Sequence, residues 1–285
     1  MFKIKPRHQS LIFCFVLLLP FRCLAAQDSK HSLTFGFLPS RSAISLFKHY
    51  APLRSYLMQQ LNTPLVLETT VDYPTFLADT KKRKYDFALT APHFALLAID
   101  SGHYEAPVTY IRSLMADILV RDSSRVQDIQ QLAGKRISIP PQSAIISMLG
   151  RHYLQQQGLT GANSPNYVVS PSHNASIHAM LAGDTTAAIA STNITRQFLK
   201  KGAAIRRLAH TKAIPGMAFL VARDLPKQIR VSFTRALIQM HRTHAGKAAL
   251  DKMGYPGYRK TRVNEFEAVR PYLNMYNGSS KLNRD

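Results

Sequence analysis

From Leu33 onward, short apolar runs alternate with stretches whose apolar residues recur at helical spacing. A chain patterned this way builds strands joined by helical crossovers, which sets aside a helical bundle and a β-sandwich and leaves an α/β architecture. Strands are expected at Leu33–Leu38, Leu65–Thr70, Phe87–Thr90, Met115–Val120, Arg136–Ile139, Tyr167–Ser170, Ala187–Ala190 and Phe219–Ala222. Ile44, Phe47, Leu53, Tyr56, Leu57 and Leu61 share one face of the first helix, and Ile229, Phe233, Leu237 and Met240 one face of a later one. Both stripes are expected in the core.

Two stretches read as crossings between lobes. Pro107–Met115 is strand-like, and Ile205–Pro215 is basic and loop-like. If the chain crosses near 116 and returns near 214, lobe one comprises 27–115 and 215–285, and lobe two comprises 116–214, each of ordinary domain size. The polar tail from Asn277 to Asp285 is expected to fray.

The first 26 residues have the layout of a secretory signal: Lys3, Lys5 and Arg7, then an apolar run from Leu11 to Phe21, then the small residues Ala25 and Ala26. The expected destination is the periplasm. Both cysteines, Cys14 and Cys23, fall inside this segment, so the exported chain is expected to have no disulfide and no cysteine metal site. Arg22 directly before Cys23 disfavours lipid attachment there. No later apolar run approaches the ~20 residues of a membrane helix, so a soluble monomer is expected.

Charge is the compositional fact that matters. The chain has 37 Lys and Arg against 16 Asp and Glu; the leader holds Lys3, Lys5, Arg7 and Arg22 and no acid, so 33 against 16 remain, a net of +17. The basic residues are dispersed, which together with export argues against a nucleic-acid partner. The long-range field of such a chain draws small anions.

The chemistry is expected where strands end and helices begin. In an open α/β sheet, ligands sit beyond the carboxyl ends of the strands, where helix N-termini present unpaired N–H groups and partial positive charge. Gly36-Phe-Leu-Pro-Ser40, Leu89-Thr-Ala-Pro-His-Phe94, Ile139-Pro-Pro-Gln-Ser-Ala144, Ser172-His-Asn-Ala175 and Ala190-Ser-Thr-Asn193 have this form. Taken alone, Ser143 reads as a helix cap, Thr90 before Pro92 as a helix start and His173 as a capping or surface residue.

Four ordered blocks carry a resemblance. Val71-Asp-Tyr73, Tyr85-Asp-Phe-Ala-Leu-Thr-Ala-Pro-His93, Leu132-Ala-Gly-Lys-Arg-Ile-Ser-Ile-Pro140 and Ser172-His-Asn-Ala-Ser-Ile-His-Ala-Met-Leu-Ala-Gly-Asp184 are similar to successive segments of the periplasmic phosphate, phosphite and phosphonate solute-binding proteins of ABC transporters. The similarity runs from Leu33 to about Tyr276. It implies the two-lobed type II periplasmic-binding-protein fold, with ligand held between the lobes and delivered to an inner-membrane ABC permease. By resemblance, Tyr73 matches the tyrosine of an Asp-Tyr pair, His173 a helix-start histidine, and His93 or Phe94 an aromatic contact. Ser143 and Ala144 fall in a Ser-Thr-Ser turn of which one hydroxyl survives. Asn193 stands where a carboxylate is expected, and a second carboxylate near Pro215 is absent.

With Thr90 added, the expected ligand contacts are Tyr73, Thr90, His93, Phe94, Ser143, Ala144, His173 and Asn193. They describe a neutral-polar pocket suited to a small oxyanion. An aminoalkylphosphonate is disfavoured because its ammonium finds no carboxylate.

Two other functions fit parts of the pattern. The same lobes could present a bound solute to a membrane sensor kinase, and nothing in the chain separates that output from transport. A secreted hydrolase would use Ser143 and His173, but no Gly-x-Ser-x-Gly elbow surrounds the serine and no acid is placed to orient the histidine. No catalytic residue, cofactor or metal ion is expected; His173 and His178, five apart, do not share a helix face as metal ligands four apart would.

Overall fold

The computed structural model describes residues 1–2 and 32–273; the leader beyond its first two residues, Cys14, Cys23 and the 277–285 tail lie outside the described residues. In chain order the elements are β1 (Leu33–Phe37), α1 (Ala43–Leu61), β2 (Leu65–Thr69), α2 (Tyr73–Lys81), β3 (Phe87–Thr90), α3 (Pro92–Asp100) and β4 (Tyr104–Tyr110). There follow β5 (Ala116–Arg121), β6 (Arg136–Ile139), α4 (Ile145–Gln156), β7 (Asn166–Val169), α5 (His173–Ala182), β8 (Ala187–Ser191), α6 (Thr192–Lys200) and β9 (Ile205–His210). The chain ends with β10 (Ala218–Ala222), α7 (Lys227–Gln239), α8 (His244–Met253) and β11 (Tyr258–Lys260), with short 3-10 turns between.

The strands form two mixed sheets, one in the order β11-β4-β10-β3-β1-β2 and the other β7-β6-β8-β5-β9. In the first, β1 runs parallel to β2 and β3, while β10 is antiparallel to β3 and β4. In the second, β6 runs parallel to β7 and β8, while β5 is antiparallel to β8 and β9.

Period-two alternation within these strands feeds both faces of each sheet. Phe35, Phe37, Phe87, Leu89, Phe219 and Val221 point into one core with α1, α7 and α8, where the Phe87 and Phe233 rings stack at 3.8 Å. Ala88, Leu220 and Tyr85 face a second core, which continues into Ile118, Val120, Ile137, Ile139 and Ile189 of the other sheet. Strands covered on both sides read as unbroken apolar runs, which is why the sequence marks them so clearly.

Three expectations change. The stretch expected as a basic loop at 205–215 contains β9, which pairs with the buried β5 at the sheet edge; an edge strand tolerates charge, and Arg207 turns its guanidinium onto the buried Asp117 at 3.0 Å. The strand-like segment at 107–115 is β4, which starts earlier, at Tyr104, and stops at Tyr110; β11 pairs only with its last three residues, so Pro107 breaks no ladder there. Ile44 is 84% exposed, and the buried face of α1 consists of Leu46, Tyr50, Leu53, Tyr56 and Leu57.

The two sheets are joined by two strands of chain that pair with each other. Leu114 and Ile214 exchange both backbone hydrogen bonds, at 3.0 and 2.9 Å, and Thr211 bonds Ala116 through its own N–H and its hydroxyl. Gly216 is required here: a Cβ at that position would lie 2.5 Å from the Arg112 carbonyl oxygen and 2.9 Å from the Tyr110 Cβ. Gly216→Ala is therefore expected to destabilise the protein by about 1–3 kcal/mol, the usual range for overpacking, in a denaturant melt. An unchanged midpoint would show that the crossing segments separate easily.

Candidate functional site

A cleft of about 720 Å³ opens where the parallel strands end. Each of the six parallel strands is followed by a helix, and all six junctions supply lining residues. Ser40, Ser42 and Ser45 come from β1–α1, Tyr73 from β2–α2 and Ala91 from β3–α3. From the other sheet, Ala144–Ile146 come from β6–α4, Ser172–Asn174 from β7–α5, and Ser191 and Asn193 from β8–α6. The same topology that orders the strands thus aims six sets of N-terminal peptide dipoles into one space.

The caps divide these helix starts into two kinds. Ser42, Asp72 and Ser172 cap α1, α2 and α5 by accepting from the backbone N–H three residues on. At α3, α4 and α6 the cap residues Ala91, Ala144 and Ser191 make no side-chain cap bond. A first turn without a cap leaves N–H donors for something else to satisfy, and an oxyanion suits them.

Of the residues expected from the sequence, Tyr73, Ala144, His173 and Asn193 line the cleft. Burial raises the Tyr73 phenol to about 12, so it is a neutral hydroxyl. Burial also lowers His173 to about 4, and its Nδ1 is sealed from solvent without a partner among the described residues. Its imidazole is neutral near pH 7.

Thr90, His93, Phe94 and Ser143 are placed differently. Thr90 and His93 are fully buried and Phe94 nearly so, behind the wall rather than on it. Phe94 meets the Tyr73 ring edge-on at 6.0 Å. His93 donates from Nε2 to the Ser143 carbonyl at 3.1 Å, tying α3 to the turn before α4, and burial lowers it to about 3. Phe94 thus packs against Tyr73, and His93 holds the turn that leads into α4. Among the described residues no hydrogen bond joins Ser143 to His173, and no group of three or more His, Cys, Asp or Glu side chains gathers as a metal site.

Sequence reading missed the charge. Arg41, Arg112, Arg196 and Lys200 also line the cleft, and among the described residues no Asp or Glu does. The expected neutral-polar pocket is corrected to a cationic one. Arg41 directly follows the Gly36–Ser40 strand end, and Arg196 and Lys200 lie three and seven residues past Asn193, one and two turns along α6 on the same side. The helical period starting at Asn193 could have found them. Arg112 sits in a crossing segment and had no such signal.

The profile of the family described as "ABC transporter, phosphonate, periplasmic substrate-binding protein" matches residues 35–266. The chain belongs to this family. Its members are periplasmic substrate-binding proteins of ABC transporters, and solved structures agree on the fold. A binding protein component of an ABC phosphonate transporter from Pseudomonas aeruginosa is 14% identical, with 85% of each chain covered and a TM-score of 0.73. A Prochlorococcus marinus protein solved with methylphosphonate is 13% identical over 86% of this chain and 98% of its own, with a TM-score of 0.76. A Xanthomonas citri protein solved with ATP is 13% identical over 86% and 98%, with a TM-score of 0.74. A search of curated proteins finds no match. The fold is that of the type II periplasmic binding proteins, and among the described residues no helix is long and apolar enough to cross a membrane.

Proposed function

We propose that this chain is exported, captures a phosphonate- or phosphate-like oxyanion in the cleft, and delivers it to an inner-membrane ABC permease. One observation carries the reading: six helix starts and four cations surround a cleft to which, among the described residues, no carboxylate contributes. Such a wall stabilises negative charge through peptide dipoles, N–H donors and charge-assisted hydrogen bonds together. Tyr73, the α4 start at Ala144, His173 and Asn193 are the proposed contacts, with His93, Phe94 and Ser143 holding them in place.

The lobes are proposed to comprise 27–115 with 215–285, and 116–214, and to close about the paired crossings at 111–115 and 211–217. A ligand touching both lobes favours the closed form by the difference in its contacts between the two states.

Calorimetry and thermal melts with methylphosphonate, phosphate, phosphite, sulfate and a small carboxylate test this. A binder present at 100 times its Kd is expected to stabilise the protein by about 2.7 kcal/mol. Methylphosphonate is expected to bind more tightly than an aminoalkylphosphonate, whose ammonium would enter a cationic cleft unpaired. If no oxyanion on the panel shifts the melt, the reading fails.

A further inference from the structure

The cleft carries more positive charge than one phosphoryl group balances. Arg41 and Arg112 reach it from the side of the six-stranded sheet, Arg196 and Lys200 from α6. None of the four has a carboxylate partner among the described residues, whereas Arg83, Lys84, Arg207, Arg230, Arg259 and Arg270 are all ion-paired. Arg196 Nη1 donates to Asn193 Oδ1 at 3.3 Å and Arg112 Nη1 to the Gly254 carbonyl at 3.5 Å. These neutral acceptors orient the guanidinium groups without discharging them.

Closing the lobes strips water from these cations. A desolvated charge without a counter-charge is costly, so the ligand that closes the cleft best brings enough negative charge for the whole set. A phosphonate dianion meets half of it. A diphosphate or triphosphate chain meets most or all of it, and its several oxygens can reach the α3, α4 and α6 starts as well as the cations.

A second part of the lining is aromatic. Tyr255 OH lies 3.2 Å from His49 Nε2 and 3.3 Å from Tyr50 OH, and the Tyr50 and Tyr255 rings are nearly parallel, 6.5 Å apart. All three residues line the cleft beside Arg41 and Arg112. His49 and Tyr255 offer ring surface to an organic group, with the buried Tyr50 backing them, and the cavity volume falls in the range of about 300–1,000 Å³ that encloses molecules far larger than methylphosphonate.

We infer that the ligand is an organic diphosphate or triphosphate, its phosphoryl chain held by the helix starts and the four cations and its organic group set against His49, Tyr50 and Tyr255. The inference rests on the oxyanion reading above and names the class of oxyanion. Titration calorimetry of the purified protein with methylphosphonate, pyrophosphate and ADP, in one low-salt buffer free of divalent cations, separates the two. Pyrophosphate is expected to bind at least tenfold more tightly than methylphosphonate, and ADP more tightly than pyrophosphate. Arg112→Gln and Lys200→Gln are each expected to weaken pyrophosphate by about tenfold and methylphosphonate by less. If methylphosphonate binds and pyrophosphate is no tighter, or ADP gains nothing over pyrophosphate, the inference is overturned and the oxyanion reading stands. If none of the three binds, both fall.

Discussion

An Asn193→Asp variant is expected to lose at least 100-fold in affinity for methylphosphonate while melting at or above the temperature of the parent. The two effects have opposite signs because the same carboxylate meets two different partners. Asn193 is the second residue of α6, where a negative side chain interacts favourably with the helix dipole by about 0.3–1 kcal/mol. The substitution keeps the side-chain shape, so packing does not change. The ligand meets the carboxylate as a like charge: two unit charges 4 Å apart repel by about 4 kcal/mol at the effective dielectric near a protein surface. The new carboxylate also captures Arg196, whose Nη1 already donates to Asn193 Oδ1 at 3.3 Å, and removes one cation from the cleft. A 100-fold loss requires only about 2.8 kcal/mol. An aminoalkylphosphonate should lose less, because its ammonium gains the partner that the cleft lacked. Calorimetry and a thermal melt on one preparation test both halves. Unchanged affinity would mean that the ligand does not sit at the α6 start.

The fold was legible because its strands are covered on both faces. Phe87–Thr90 and Arg136–Ile139 are strands with the bounds that sequence suggested, the first because Phe87, Ala88 and Leu89 are buried on both faces, the second because Ile137 and Ile139 are buried after the exposed Arg136. Ile205–His210 lacks a clear sequence signal because it is an edge strand, where Arg206 and Arg207, on opposite faces, interrupt the apolar residues without disturbing a central ladder. Ile44 was misplaced for a related reason. It fits the helical stripe, but α1 begins at Ala43, and its first turn stands at the cleft mouth rather than over the sheet.

The site was legible in its backbone and not in its charge. Strand-end motifs with serine, proline or asparagine located five of the six helix starts directly, and Asp72-Tyr73 supplied the other. Nothing local distinguishes Arg112, which reaches the cleft only because the crossing segments pair at Leu114 and Ile214. His93 shows the converse. It is conspicuous in the sequence as a polar residue in an apolar helix, yet it is fully buried and bonds the Ser143 carbonyl, tying α3 to the turn before α4.

Taking the protein from pH 7 to pH 5 is expected to remove about 4 kcal/mol of stability through His93 and His173 together, about 2 kcal/mol from each. Burial lowers the first to about 3 and the second to about 4, against 6.5 in the unfolded chain. Between 6.5 and these folded values the unfolded chain binds protons that the folded protein does not. Their stabilising effect is therefore complete above pH 6.5 and is lost as pH falls toward 4. His49, lowered to about 4 by its burial and then by Arg41, acts in the same direction. For a protein of this size the loss corresponds to a fall in Tm on the order of 10 °C. The double variant His93→Gln, His173→Gln is expected to flatten the pH 7 to 5 profile, because a glutamine amide keeps a donor without a titrating proton. Saturating methylphosphonate should flatten it in part as well: a bound anion beside His173 supplies the counter-charge that its imidazolium lacks, while His93, behind the wall, stays out of reach. A parent profile that is flat from pH 7 to 5 would show that neither ring is held neutral by the fold.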